Sequence, residues 1–104
     1  MKYSQLPIKT KEKIVELSQK HGWKFVMKEY PYMVRLTKKF NYSLVKMNIY
    51  WNASGVVKNV CTHMSHPKKG KGQVYRKVRL SELGLYFKNP RHHSNKGYGR
   101  SINK

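Results

Sequence analysis

The chain has 104 residues, which limits it to one domain with a modest hydrophobic core. Its apolar share of 38% and aromatic share of 12% argue against disorder throughout. With 23 Lys and Arg against four acidic residues, all Glu, the formal charge is +19, which disfavours chemistry built on clustered carboxylates and favours a polyanionic partner.

The elements follow in chain order. Thr10 is placed to cap a helix over Lys11–His21, with Glu12 in its first turn and Gly22 as its stop. Ile14 and Leu17 share one face of it. After Gly22 the apolar period changes from 3.6 to 2. "WKFVMKEY" puts Trp23, Phe25 and Met27 on one side. "YMVRLTKKF" groups Tyr32, Val34, Leu36 and Phe40, and "LVKMNIYW" groups Val45, Met47, Ile49 and Trp51. "NASG" reads as a hairpin turn leading into a fourth strand, "VVKNVCTHM". A fifth, "QVYRKVRL", sets Val74, Val78 and Leu80 against Tyr75, Lys77 and Arg79. Ser81 then caps a short helix, "SELGLYFKN", which ends at Pro90 and carries Leu83, Tyr86 and Phe87 for the core.

These elements predict an α+β fold. An N-terminal helix packs on a five-stranded antiparallel meander, followed by a short C-terminal helix. Residues 1–90 form the domain, and 91–104 form a basic, flexible tail. With the apolar parity under the helix, the opposite sheet face is expected to show Lys24, Lys28, Tyr30, Arg35, Lys39, Lys46, Asn48, Tyr50, Lys58, Tyr75, Lys77 and Arg79. Lys and Arg there would meet phosphates, and Tyr50 and Tyr75 would offer stacking planes. A solvated strand face normally mixes charge signs, and this one does not.

"HPKKGKGQVYRKVR" packs six Lys and Arg into residues 66–79. Its glycines let backbone N–H groups converge on an anion, with Lys68, Lys69 and Lys71 around them and Arg76, Lys77 and Arg79 following. It is not a Walker A loop: no Ser or Thr follows the Lys, and a strand comes next instead of a helix. In the tail, Arg91, Lys96 and Arg100 surround Tyr98 and would clamp a nucleic acid. Sequence reading would fall to Gln73 or Asn48, and only if the sheet or loop entered a groove.

Cys61, His63 and His66 are weak candidates for a metal site. Cys61 and His63 share a strand face, but the spacing matches no zinc finger, so neither metal nor other cofactor is expected. Catalysis is not expected either. Glu12, Glu16, Glu29 and Glu82 lie apart, and nothing orients His63 as a base for Cys61. A small metal-independent nuclease built on His63, His66, Lys71 and Tyr75 is the residual enzymatic reading. One cysteine, no apolar leader and no membrane-length apolar run predict an intracellular protein (nucleus, cytoplasm or virion) that is not secreted and not inserted in a membrane.

Three segments carry a resemblance: "VKMNIYWNASGVV", "HPKKGKGQVYRK" and "FKNPRHHSNKGYGR". They resemble a family of small basic proteins of protists, algae and large DNA viruses, marked by an HPKxGxTQ hairpin and an NPRxHxxKGY tail. The likeness covers about half the chain. Asn52–Gly55 replaces the family's Thr-Gly turn, and Gly72 stands where it has Thr. The resemblance implies no activity. It implies that hairpin and tail act as one unit.

The expected function is nucleic-acid binding, DNA or RNA, with phosphate contacts dominant and little sequence specificity. The alternative is a structural component of a virion or ribonucleoprotein particle whose charge serves assembly. The apolar face of Leu80, Leu83, Tyr86 and Phe87 is expected to pack in the core, with a homodimer contact as the other reading.

Overall fold

A computed structural model describes residues 1–40, 43–66 and 70–90. The order of elements is α1 (Ile8–His21), β1 (Lys24–Phe25), β2 (Met33–Phe40), β3 (Ser43–Trp51), β4 (Val57–His66), β5 (Gly70–Lys77) and α2 (Leu83–Lys88). Short 3-10 turns precede α1, at Tyr3–Gln5, and α2, at Leu80–Glu82. The strands form one five-stranded sheet in sequence order, and every pair is antiparallel. The fold is the expected α+β meander.

Register assigns each residue to a face, because directly paired residues point the same way. Val34, Ile49 and Val60 lie in one row, and Leu36, Met47 and Thr62 in the next. All six are buried. Ile14 and Leu17 of α1 and Leu83, Tyr86 and Phe87 of α2 complete the same core. Both helices therefore cover one side of the sheet.

Three polar groups on this side find backbone acceptors. Thr62 Oγ1 donates to Pro90 O at 3.3 Å. The indole N–H of Trp23 donates to Phe87 O at 2.8 Å, and that of Trp51 to Met1 O at 2.7 Å. The two tryptophans thus tie α2 and the N-terminal segment to the sheet. Lys38 falls on the covered parity, yet its ammonium lies 4.8 Å from the centre of the Phe40 ring and bonds His21 O at the end of α1. That placement fits a cation at a helix C-terminus.

Several local expectations are corrected. α1 starts at Ile8 after Pro7, so Thr10 is a buried residue of its first turn and not the cap, and Glu12 lies beyond that turn. Gly22 does end the helix, at φ 76°. Ser81 caps nothing; Glu82 Oε1 accepts from Arg79 N at 2.8 Å, and α2 begins at Leu83.

The first strand shrinks from eight expected residues to Lys24–Phe25. The N-terminal segment takes over its neighbourhood: Tyr3 packs on Phe25, Lys2 pairs with Glu29 at 3.4 Å, and Met1 O accepts from Tyr32 N. Met27, expected in the core, is 96% exposed. Tyr32 also leaves the strand, at φ 61° in the turn that follows Pro31. Among the described residues, no helix is long and apolar enough to cross a membrane.

The Asn52–Gly55 turn closes β3 on β4. Asn52 Oδ1 accepts from Ser54 N and Val56 N, a side chain standing in for backbone. Gly55 sits at φ 80°, and a Cβ there would come within 2.9 Å of Met1 Sδ and 3.0 Å of Pro7 Cδ. Gly55→Ala is expected to lower the unfolding free energy by about 1–3 kcal/mol, seen as an earlier urea midpoint at unchanged slope. Ser54→Ala, next to it, is expected to move that midpoint much less.

Candidate nucleic-acid interface

The face that no helix among the described residues covers follows from the other parity. Met33, Tyr50, Asn59 and Lys77 form one row, and Arg35, Asn48, Cys61 and Tyr75 the next. Lys24, Thr37, Lys46, His63 and Gln73 form a third. Lys39 pairs with Leu44 beyond them. Lys24, Lys39, Lys46 and Lys77 are exposed. None of the four Glu sits on a strand. The face is therefore cationic without compensating carboxylates.

Its centre is more ordered than a solvated strand surface. Asn48 is only 2% exposed although it lies on the helix-free side. Its Oδ1 accepts from Arg35 Nε at 2.8 Å, and its Nδ2 donates to Tyr50 OH at 3.3 Å. A buried amide with both ends bonded holds its neighbours in place. Arg35 is gripped a second time, its guanidinium carbon 5.4 Å from the centre of the Tyr30 ring, with Lys28 Nζ 5.3 Å from the same ring. Tyr50 and Tyr75, on β3 and β5, bring their ring centres to 6.3 Å at a tilt of 55°. Tyr75 is 43% exposed.

Beside the rings, Cys61 is 3% exposed and accepts from Gln73 Nε2 at 3.4 Å. Its Sγ stands 3.4 Å from His63 Nε2. Burial pushes the thiol up, against a smaller opposing effect of Gln73, so Cys61 stays protonated at neutral pH. His63 is held below the ordinary histidine range, first by burial and then by the charges of Arg35 and Lys46.

The residues expected to act together are distributed as follows. Lys46, Tyr50, Tyr75 and Lys77 share the open face. Position 71 pairs with Ser65 on the same parity. Arg76 is opposite Val60 on the covered parity and hydrogen-bonds Tyr86 of α2, so it faces the helices. Lys58 is the extra residue of a bulge where Trp51 pairs with Val57. With Lys77 and Arg79 it lines a cleft of about 620 Å³, whose apolar lining includes Val56, Val57, Val78 and Leu80. Lys68, Lys69, Arg91, Lys96 and Arg100 lie outside the described residues.

Of the candidate ligands, Cys61 and His63 do meet, but position 66 falls on the other parity. Among the described residues, no three His, Cys, Asp or Glu side chains are grouped to hold a metal ion. Asn48 and Gln73, the candidates for reading bases, are engaged within the face. Alternation placed Arg35 on the open side but gave no sign of its grip. Only the register that sets Arg35 opposite Asn48 reveals it.

No family model, curated protein or solved structure matches this chain.

The sign of the pH effect follows from the direction of the His63 shift. Its unfolded value is the ordinary one and its folded value lower, so the unfolded chain takes up the proton first. Stability from the neutral ring is complete above the ordinary histidine range and is lost as pH falls through the folded value. An NMR titration of the ring is expected to give a midpoint below that of an unfolded-peptide histidine. His63→Gln is expected to reduce the loss of stability on acidification.

Proposed function

We propose that this protein binds nucleic acid on the helix-free face of its sheet, mainly through phosphate contacts and with little sequence specificity. One observation carries the reading: Lys24, Lys39, Lys46 and Lys77 are exposed around a fixed Arg35 and two converging tyrosines, and no Glu sits on any strand. Spread cations displace the counterions of a polyanion. Fixed rings offer surface for bases. The basic hairpin, with Lys68, Lys69 and Lys71, and the tail, with Arg91, Lys96 and Arg100, would extend the contact.

The assembly reading, in which the charge acts as a whole, has its own support. Lys9, Lys20 and Lys88 are exposed on the helices, away from the face. The two readings differ in a charge-matched comparison. Lys24, Lys46 and Lys77 changed together to Glu alter the net charge as much as Lys9, Lys20 and Lys88 changed to Glu. All six positions are exposed, so both variants are expected to fold.

Face binding predicts that the first set reduces affinity far more than the second. It also predicts a shallower salt dependence for the first set, by about 0.7–0.9 in log–log slope for each phosphate no longer neutralised. Equal reductions from both sets would favour the assembly reading. A second expectation concerns His63. A polyanion on the face offsets the cations that depress the ring, so its midpoint rises on binding. By linkage, affinity increases as pH falls below neutrality, and His63→Gln reduces that increase by the share of this ring. Titrations at two pH values check it.

A further inference from the structure

Resting on the nucleic-acid reading, we infer that the occupant of this face is a single strand, with unpaired bases stacked on Tyr75 and Tyr50. The first reason is width. Five strands span four interstrand spacings, about 19 Å at roughly 4.8 Å each. The major groove of duplex DNA is about 12 Å wide and admits a helix or a two-stranded ribbon. This sheet is too broad to enter it. A duplex can only rest its backbone on the face, and its paired bases stay out of reach of the rings.

The second reason is the rings themselves. Tyr50 and Tyr75 stand on strands separated by β4, yet their centres are 6.3 Å apart, so both lean over that strand. Beneath them lie Asn59 and Cys61, which are small. The Tyr50 hydroxyl is fixed by Asn48, and Tyr75 is 43% exposed. The 55° tilt keeps the two rings from stacking face to face, so each retains a surface for a base. Lys46 and Lys77 flank the pair and suit the phosphates between successive bases.

The third reason is curvature. A sheet twists by about 20–25° per strand. A flexible single strand can follow that surface, whereas a duplex is straight on this scale. Charge alone predicts the opposite preference. Duplex DNA carries one charge per roughly 1.7 Å and has the steeper counterion term. The order of affinities therefore distinguishes stacking from simple attraction.

The test is a fluorescence-anisotropy titration of the full chain. It uses one labelled DNA oligonucleotide of mixed sequence, single-stranded and annealed to its complement, over a series of salt concentrations. The single strand is expected to bind at least about tenfold more tightly near physiological salt. Tyr75→Ala is expected to weaken single-strand binding by about five- to a hundredfold and to leave the duplex nearly unchanged. Tyr75→Phe is expected to bind like the parent. Thermal unfolding accompanies each variant, and Tyr75→Leu replaces the alanine variant if that one does not fold. A duplex bound as tightly as the single strand, or equal weakening of both by Tyr75→Ala, would overturn the inference and leave nucleic-acid binding standing. No binding of either form, nor of an RNA oligonucleotide of the same sequence single-stranded or annealed, would overturn nucleic-acid binding itself.

Discussion

A five-stranded sheet has two faces, and the helices among the described residues cover one. The other organising features follow from that constraint. α1, α2 and the N-terminal segment occupy the side where Val34, Leu36, Met47, Ile49 and Val60 converge. The two indoles hold α2 and the N-terminal segment by the carbonyls of Phe87 and Met1. Among the described residues, no helix covers the second face. In a chain with 23 Lys and Arg and four acidic residues, a solvent face carries positive charge almost by default. Self-repulsion on such a surface is relieved when an anion lies on it, which links the protein's stability to its proposed ligand.

The open face is not merely what the helices left bare. Asn48 is as buried as a core residue, and both ends of its amide are used. Burying a polar group without partners is destabilising, so this arrangement stands only because Arg35 and Tyr50 complete it. The result is a guanidinium and a phenol fixed before any ligand arrives. Preorganised groups lose less entropy on binding than free side chains do. Cys61, Gln73 and His63 extend this polar layer towards β5. The depressed His63 and the protonated Cys61 follow from the same partial burial beside cations.

Much of the sheet was legible because the period-2 signal is strong where both neighbours are strands. Val45, Met47, Ile49 and Trp51 alternate cleanly and are all buried in the central strand. The signal failed at the edge. "WKFVMKEY" alternates as well, but Met1, Lys2 and Tyr3 compete for the same region. Regular pairing with β2 stops after Lys24–Phe25, leaving a single Val26 N bond to Arg35 O and an isolated Tyr30–Met33 bridge. Local pattern carries no information about a segment twenty residues away that takes over the space. Thr10 failed for a related reason. A threonine near a helix start suits a cap, yet here Pro7 opens the helix and burial claims the side chain.

What the sequence by itself determined is the two-sidedness of this protein: alternation fixes which residues share a face, and composition fixes the sign of the face left open. What only the tertiary structure decided is which of those residues meet. Arg35 reaches Asn48 because two strands are paired at one register and not its neighbour. Tyr50 approaches Tyr75 across an intervening strand. Arg76, one residue further along, turns to Tyr86 and the helices instead. The physical reason is that a strand's period is a property of its own backbone. Register and bulges are set by the strands beside it, and a shift of one residue reverses every side chain.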